Sequence, residues 1–134
     1  MERPAEELIK GQISKAEEKL RAARSLLSSG FIDDAISRAY YAIFHAAGAV
    51  LLAEGIAVEG HSALLAMFGL YLVKPGKIGR RFARILGRLK DEREGGDYDV
   101  FSASEREDAE QAVEDAGTFL EEMKRYLGES HGIR

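Results

Sequence analysis

The stretch that most restricts the fold is residues 33–54, where alanines and aliphatic side chains occupy nearly the whole circumference of a helix. A helix apolar on almost every side must be covered on almost every side, so this segment predicts a central helix wrapped by others. Its most apolar part, residues 39–53, holds Tyr40, Tyr41 and His45 and is expected to be too short to span a bilayer. Asp33 is placed to cap its start and Gly55 to end it. Only two prolines occur, Pro4 and Pro75, so long helices are permitted between them. With 134 residues, 46% hydrophobic and 31% charged, the chain fits one globular domain with one core.

Four more helices are expected around the central one. Residues 5–28 carry Ile9, Ile13, Ala16, Leu20, Ala23 and Leu27 at steps of four and three, a narrow stripe suited to one partner groove. Ser28-Ser29-Gly30 ends that helix. Residues 62–73 turn Leu64, Leu65, Phe68 and Leu72 inward, and Lys74-Pro75-Gly76-Lys77 breaks them. Residues 79–92 turn Phe82, Ile85, Leu86 and Leu89 inward, and Gly95-Gly96 predicts their end, with Asp97-Tyr98-Asp99 in a loop beyond. The last helix opens with a capping box, which both Ser102-x-x-Glu105 and Ser104-x-x-Glu107 fit. Ala109, Val113, Ala116, Leu120, Met123 and Leu127 form its buried stripe, and residues 128–134 are expected to fray. The expected fold class is therefore all-α, an up-and-down helical bundle of four to five helices, a single domain over residues 1–134.

The chain has no cysteine, which removes disulfides and thiolate chemistry and suits a reducing compartment. It opens without an apolar leader, so a cytoplasmic protein off the membrane is expected. His45, His61 and His131 have no metal-ligand spacing, and P-loop, dinucleotide and zinc-protease signatures are missing, so neither metal nor cofactor is expected. Net charge is −4, but it is unevenly spread. Residues 74–93 hold eight basic and two acidic side chains, leaving 11 basic and 21 acidic elsewhere. A basic segment on an acidic chain points to local anion binding, or else to a solvated helix face. Within it Arg80, Arg84 and Arg88 stack at i, i+4 and i+8.

Two polar groupings stand out against apolar surroundings. Arg38, Tyr41 and His45 share one stripe of the central helix, read as a pocket wall for an anion or base or as structural groups bonded to neighbours. Arg93 extends the inward stripe of the fourth helix and lies four residues before Asp97, so it suits a compact polar site or a clamp on Asp97. His61, at the start of the third helix, is placed to cap it or to reach a phosphate.

The segment Ser37-Arg38-Ala39-Tyr40-Tyr41-Ala42-Ile43-Phe44-His45-Ala46-Ala47 resembles the S-R-x-Y-Y-A-x-F-x-A signature of one branch of the HEPN domains. Gly60-His61-Ser62 resembles that branch's following turn. Arg93-x-x-x-Asp97-Tyr98 resembles its R-x-x-A-D-Y element, with Gly96 where alanine is usual. The resemblance implies a helical bundle that is often a homodimer, commonly paired with a minimal nucleotidyltransferase in a toxin–antitoxin or nucleotide-handling system. Many members are metal-independent ribonucleases marked by an arginine followed, after four to six residues, by histidine. Here Arg93 matches the arginine, Asp97, Tyr98 and Asp99 stand where histidine belongs, and no histidine follows before His131.

One expectation is a non-catalytic dimeric module that binds nucleotide or RNA through Arg38, Tyr41, His45, His61, Arg80, Arg84, Arg88, Arg93, Asp97 and Tyr98. The alternative is a divergent ribonuclease in which Arg93 works with His45 or His61. A structural dimer without ligand is the third. The resemblance also places Tyr98 where related toxins accept a nucleotidyl group from the transferase.

Overall fold

In the computed structural model, residues 3–98 and 104–134 are described, with side chains for 5–96 and 104–134. Five α-helices follow one another: α1 (Arg3–Ser28), α2 (Ile32–Ala53), α3 (His61–Phe68), α4 (Arg80–Tyr98) and α5 (Arg106–His131). No strand occurs among the described residues. α3 continues into a π-helical segment, Gly69–Val73, before the chain turns toward α4.

α2 is the axis of the bundle and packs against α1, α3, α4 and α5. Its alanines explain how so many neighbours reach it. Ala35, Ala39, Ala42, Ala46, Ala47 and Ala49 are wholly buried and let other helices approach closely, while Ile36, Ile43, Val50 and Leu51 fill the spaces between them. By length and composition alone the whole of α2, at 22 residues, is long and apolar enough to cross a membrane, although its most apolar run, 39–53, is shorter. Its burial inside the bundle accounts for that composition, in keeping with the expected central helix. The expected inward stripes of α1 and α5 face the core, from Ile9, Ala16 and Leu20 to Ala109, Leu120 and Leu127. At one end Phe119 stacks on Phe68 at 5.7 Å and meets Phe82 edge-on at 6.0 Å, joining α3, α4 and α5. Each such ring pair contributes about 0.5–1.5 kcal/mol beyond its area.

The helix ends follow from local bonding, and only some of them lie where the sequence puts them. α1 stops at Gly30, whose φ of 84° is the left-handed conformation that glycine adopts freely. There Gly30 N donates to Leu27 O and Phe31 N to Leu26 O, the paired closure that satisfies the last carbonyls. α2 then begins one residue before Asp33, after Phe31, and no side chain caps it. Gly95-Gly96 does not end α4, which continues through Tyr98. Gly96 sits where α4 passes the start of α2: a Cβ there would stand 2.9 Å from Asp33 Oδ1. The glycine thus serves close approach inside a helix and is not a stop.

The capping box of α5 is also displaced. Glu105, not a serine, is the N-cap, and the Asp108 carboxylate accepts from the Glu105 N–H at 2.8 Å. Ser104 and Glu107 do not form the box, and Ser102 lies outside the described residues. The expected fraying at 128–134 is overturned. α5 runs to His131, Gly132 closes it in a left-handed cap, and Ile133 is buried. His131 is tied to Glu54 at 2.6 Å, so the tail is fastened to the end of α2.

Candidate functional site

α2 presents adjacent tyrosines because successive helical positions are about 100° apart. Tyr40 faces the core and is wholly buried, while Tyr41 lies half-buried at the rim. α4 reaches the same place with Arg93, the only buried charged residue among those described. Its guanidinium carbon stands 5.4 Å from the Tyr40 ring centre and 5.3 Å from that of Tyr41, and Nη1 donates to the Tyr41 hydroxyl at 2.7 Å. A planar cation over two aromatic faces is stabilised by their negative quadrupoles.

The first residue of α3 completes the cluster. His61 Nδ1 lies 2.6 Å from the Tyr40 hydroxyl, and its ring packs 4.5 Å from Phe44 and 6.0 Å from Tyr41. Four rings and one guanidinium from three helices thus converge on one rim. Burial, then the positive charges of Arg93 and Lys90, hold the His61 imidazole below its ordinary value, while Glu94 acts the other way. The Tyr40 phenol is pushed up to about 12, chiefly by burial. At neutral pH the site therefore carries a neutral imidazole, a protonated phenol and a fixed positive charge. Such a set can donate hydrogen bonds to an anion and stack a planar base.

The sequence-predicted residues separate into four groups. Tyr41, His61 and Arg93 come together. Arg38 is exposed on α2, and His45 turns toward α1, where Nδ1 donates to Gln12 Oε1 at 2.8 Å, so His45 bonds outside the Arg93–His61 cluster. Burial, with Lys15 and Lys19, lowers the His45 pKa. Arg80 and Arg84 are exposed on α4, but Arg88 is bonded to Asp115 and lies 3.5 Å from Glu92. Asp97 and Tyr98 belong to the last turn of α4, correcting the loop assignment, but their side chains lie outside the described residues, as does Asp99 entirely. Tyr40 was missed as a site residue because an aromatic on an inward face reads as core. Its hydroxyl was the available signal, since a buried hydroxyl needs a partner.

A separate groove of about 600 Å3 runs between α1 and α5, lined by Lys10, Ile13, Glu17, Lys124, Gly128 and Ile133 among others. Lys124 bridges Glu17 across it at 3.1 Å, and none of the sequence-predicted site residues lines it.

Residues 9–126 match the HEPN domain. The chain is 38% identical to a Methanocaldococcus jannaschii protein provisionally named as a toxin, over 92% of this chain and 91% of that one. It is 31% identical to a UPF0332 protein of Thermotoga maritima, over 91% and 92% of the two chains. The crystal structure of TT1696 from Thermus thermophilus shares the fold, with a TM-score of 0.76 at 23% identity, covering 89% of this chain and 98% of that one. With a family match over most of its length and relatives aligned nearly end to end, the chain belongs to the HEPN domain family.

Proposed function

We propose that this protein is a toxin-like HEPN module that binds a nucleotide or RNA phosphate at the Arg93–Tyr41–Tyr40–His61 cluster without cleaving it. The observation that carries the reading is the seating of Arg93, a buried guanidinium held between two tyrosine faces beside a histidine. The provisional toxin names of two archaeal relatives support the toxin-like character. In this reading the module is cytoplasmic, dimerises through α2 and α4 and is partnered by a minimal nucleotidyltransferase. Light scattering at micromolar concentration is expected to give the mass of a dimer; a monomeric mass would remove this element.

Arg80 and Arg84 are exposed cations near the start of α4, on another face than Arg93, and would give a bound strand a second contact, whereas Arg88 is engaged with Asp115. Replacing Arg80 and Arg84 with glutamine is expected to weaken binding of a short single-stranded RNA. It should also flatten the salt dependence by about 0.7 in log–log slope for each phosphate no longer neutralised. Fluorescence anisotropy across a salt series measures both. Unchanged affinity and slope would make this face a solvated surface.

A divergent metal-independent ribonuclease is the second reading, favoured by one feature. His61 arrives from α3 beside Arg93, a neighbourhood in which an imidazole could stand in for the histidine missing after Arg93. His45 is bonded to Gln12 and lies outside that cluster. RNA cleavage by the purified protein without metal, lost in His61→Ala and Arg93→Ala but kept in His45→Ala, would establish this reading over the first.

A further inference from the structure

The hydrogen bond between Tyr40 and His61 has a definite direction. Tyr40 is wholly buried, and among the described residues its hydroxyl has one hydrogen-bond partner, His61 Nδ1, at 2.6 Å. If Nδ1 carried the proton and donated to the phenol oxygen, the phenol's own hydrogen would be left buried without an acceptor, an arrangement that folded proteins avoid. The phenol therefore donates and Nδ1 accepts. A neutral imidazole has one ring proton, so that proton lies on Nε2, at the edge of the ring turned away from Tyr40.

The surroundings of this imidazole are unequal in charge. From α4 it faces Arg93, Lys90 and Glu94, and Glu94 is itself bonded to Lys90 at 2.6 Å. From α2 it faces Tyr40, Tyr41 and Phe44, none of which carries charge at neutral pH. An anion arriving at Nε2 would meet an N–H donor and a fixed guanidinium together. It would also offset the positive charges that, after burial, hold the ring neutral.

We infer that Tyr40 holds His61 as an Nε2–H donor, and that His61 and Arg93 together form a proton-linked clamp for phosphate oxygens of a nucleotide or RNA strand. The inference rests on the phosphate-binding reading above and adds to it a positioning residue, Tyr40, and a linkage. Binding draws a proton onto His61 Nδ1 and turns the Tyr40 hydroxyl from donor to acceptor; its hydrogen then loses its partner, so uptake requires the attraction between imidazolium and phosphate to outweigh that loss. Affinity then rises as pH falls toward the lowered pKa of free His61, by up to about tenfold per pH unit for one proton taken up, and levels off below it. Phosphate monoesters and backbone diesters share this chemistry. Only the monoester titrates near neutral pH itself, so the diester gives the cleaner linkage.

The first readout needs no ligand. Two-bond proton–nitrogen NMR correlation of the imidazoles should show His61 as the Nε2–H tautomer in the wild type and a mixture in Tyr40→Phe. The second is calorimetry in buffers of different ionisation enthalpy. The probes are a 5′-hydroxyl oligouridylate, which has only diesters, and adenosine 5′-monophosphate. Wild type should take up a proton on binding the oligouridylate. His61→Gln, which keeps an N–H donor but cannot titrate, should bind without proton uptake. Tighter binding of the monophosphate would assign the clamp to nucleotide ends, and tighter binding of the oligouridylate to the RNA backbone. An Nδ1–H tautomer in the wild type overturns the inference outright. Arg93-dependent binding with no proton uptake overturns the clamp and leaves the phosphate-binding reading standing. The expected tautomer with no binding of either probe overturns both the clamp and that reading.

Discussion

Arg93→Ala is expected to weaken binding of a short single-stranded RNA by more than about tenfold and to destabilise the fold by roughly 1–3 kcal/mol. Both effects trace to the same geometry. Arg93 is only 8% exposed, stands over Tyr40 and Tyr41, and donates to the Tyr41 hydroxyl. Truncation removes the guanidinium from both rings, breaks that hydrogen bond, and leaves a hole between α2 and α4. Arg93→Lys separates the two consequences. Lysine restores a charge but not the planar fork that lies against both rings, so it should recover part of the stability and little of the binding. Urea midpoints compared at equal m-value give the first quantity, and anisotropy at one fixed salt concentration gives the second. Wild-type affinity in Arg93→Ala would dismiss the cluster as a binding site and leave it as internal packing.

The cluster was visible in the sequence only in pieces. Periodicity assigns residues to faces of a single helix. It placed Tyr41 on α2, His61 at the head of α3 and Arg93 on the inward stripe of α4, and all three meet. What it cannot assign is which faces meet across helices, because that depends on crossing angles and loop closure. His45 shares a stripe with Tyr41 yet turns to Gln12 on α1, since a helix stripe can straddle the seam between two neighbours. The buried stripes were legible for a simpler reason: an apolar face at steps of three and four can only point inward. Helix ends were the poorest part. A glycine pair reads as a stop, but Gly96 is small because Asp33 lies against it, a long-range cause that no local pattern displays. The capping box fell to an acidic pair, Glu105 and Asp108, where serine was the expected acceptor.

The fastened C-terminus, the other feature that local patterns concealed, carries the second large prediction. Glu54, at the end of α2, accepts from Lys77 at 2.7 Å and from the Tyr126 hydroxyl at 3.0 Å on Oε1, and from His131 Nε2 at 2.6 Å on Oε2. One carboxylate thus joins α2, the turn before α4 and the last turns of α5. Burial alone would raise the Glu54 pKa, but the bonds from Lys77, His131 and Tyr126 outweigh it and hold the carboxyl below its ordinary value. A carboxylate stabilised in the folded state contributes fully above the unfolded glutamate value of about 4.3, and the contribution is lost as pH falls through the lower folded value. Glu54→Ala is therefore expected to cost about 2 kcal/mol at neutral pH, since it removes at once the acceptor of the Tyr126 hydroxyl, the His131 ring and Lys77. Glu54→Gln keeps the shape but not the charge. It should be less stable than wild type at neutral pH and converge on it in acid, because the wild type alone loses this contribution on protonation. Amide hydrogen exchange should show residues 127–133 opening more readily in both variants, while the centre of α2 stays protected. Equal exchange at the tail in wild type and Glu54→Ala, or parallel pH profiles for wild type and Glu54→Gln, would show that Gly132 and buried Ile133 hold the terminus without the carboxylate.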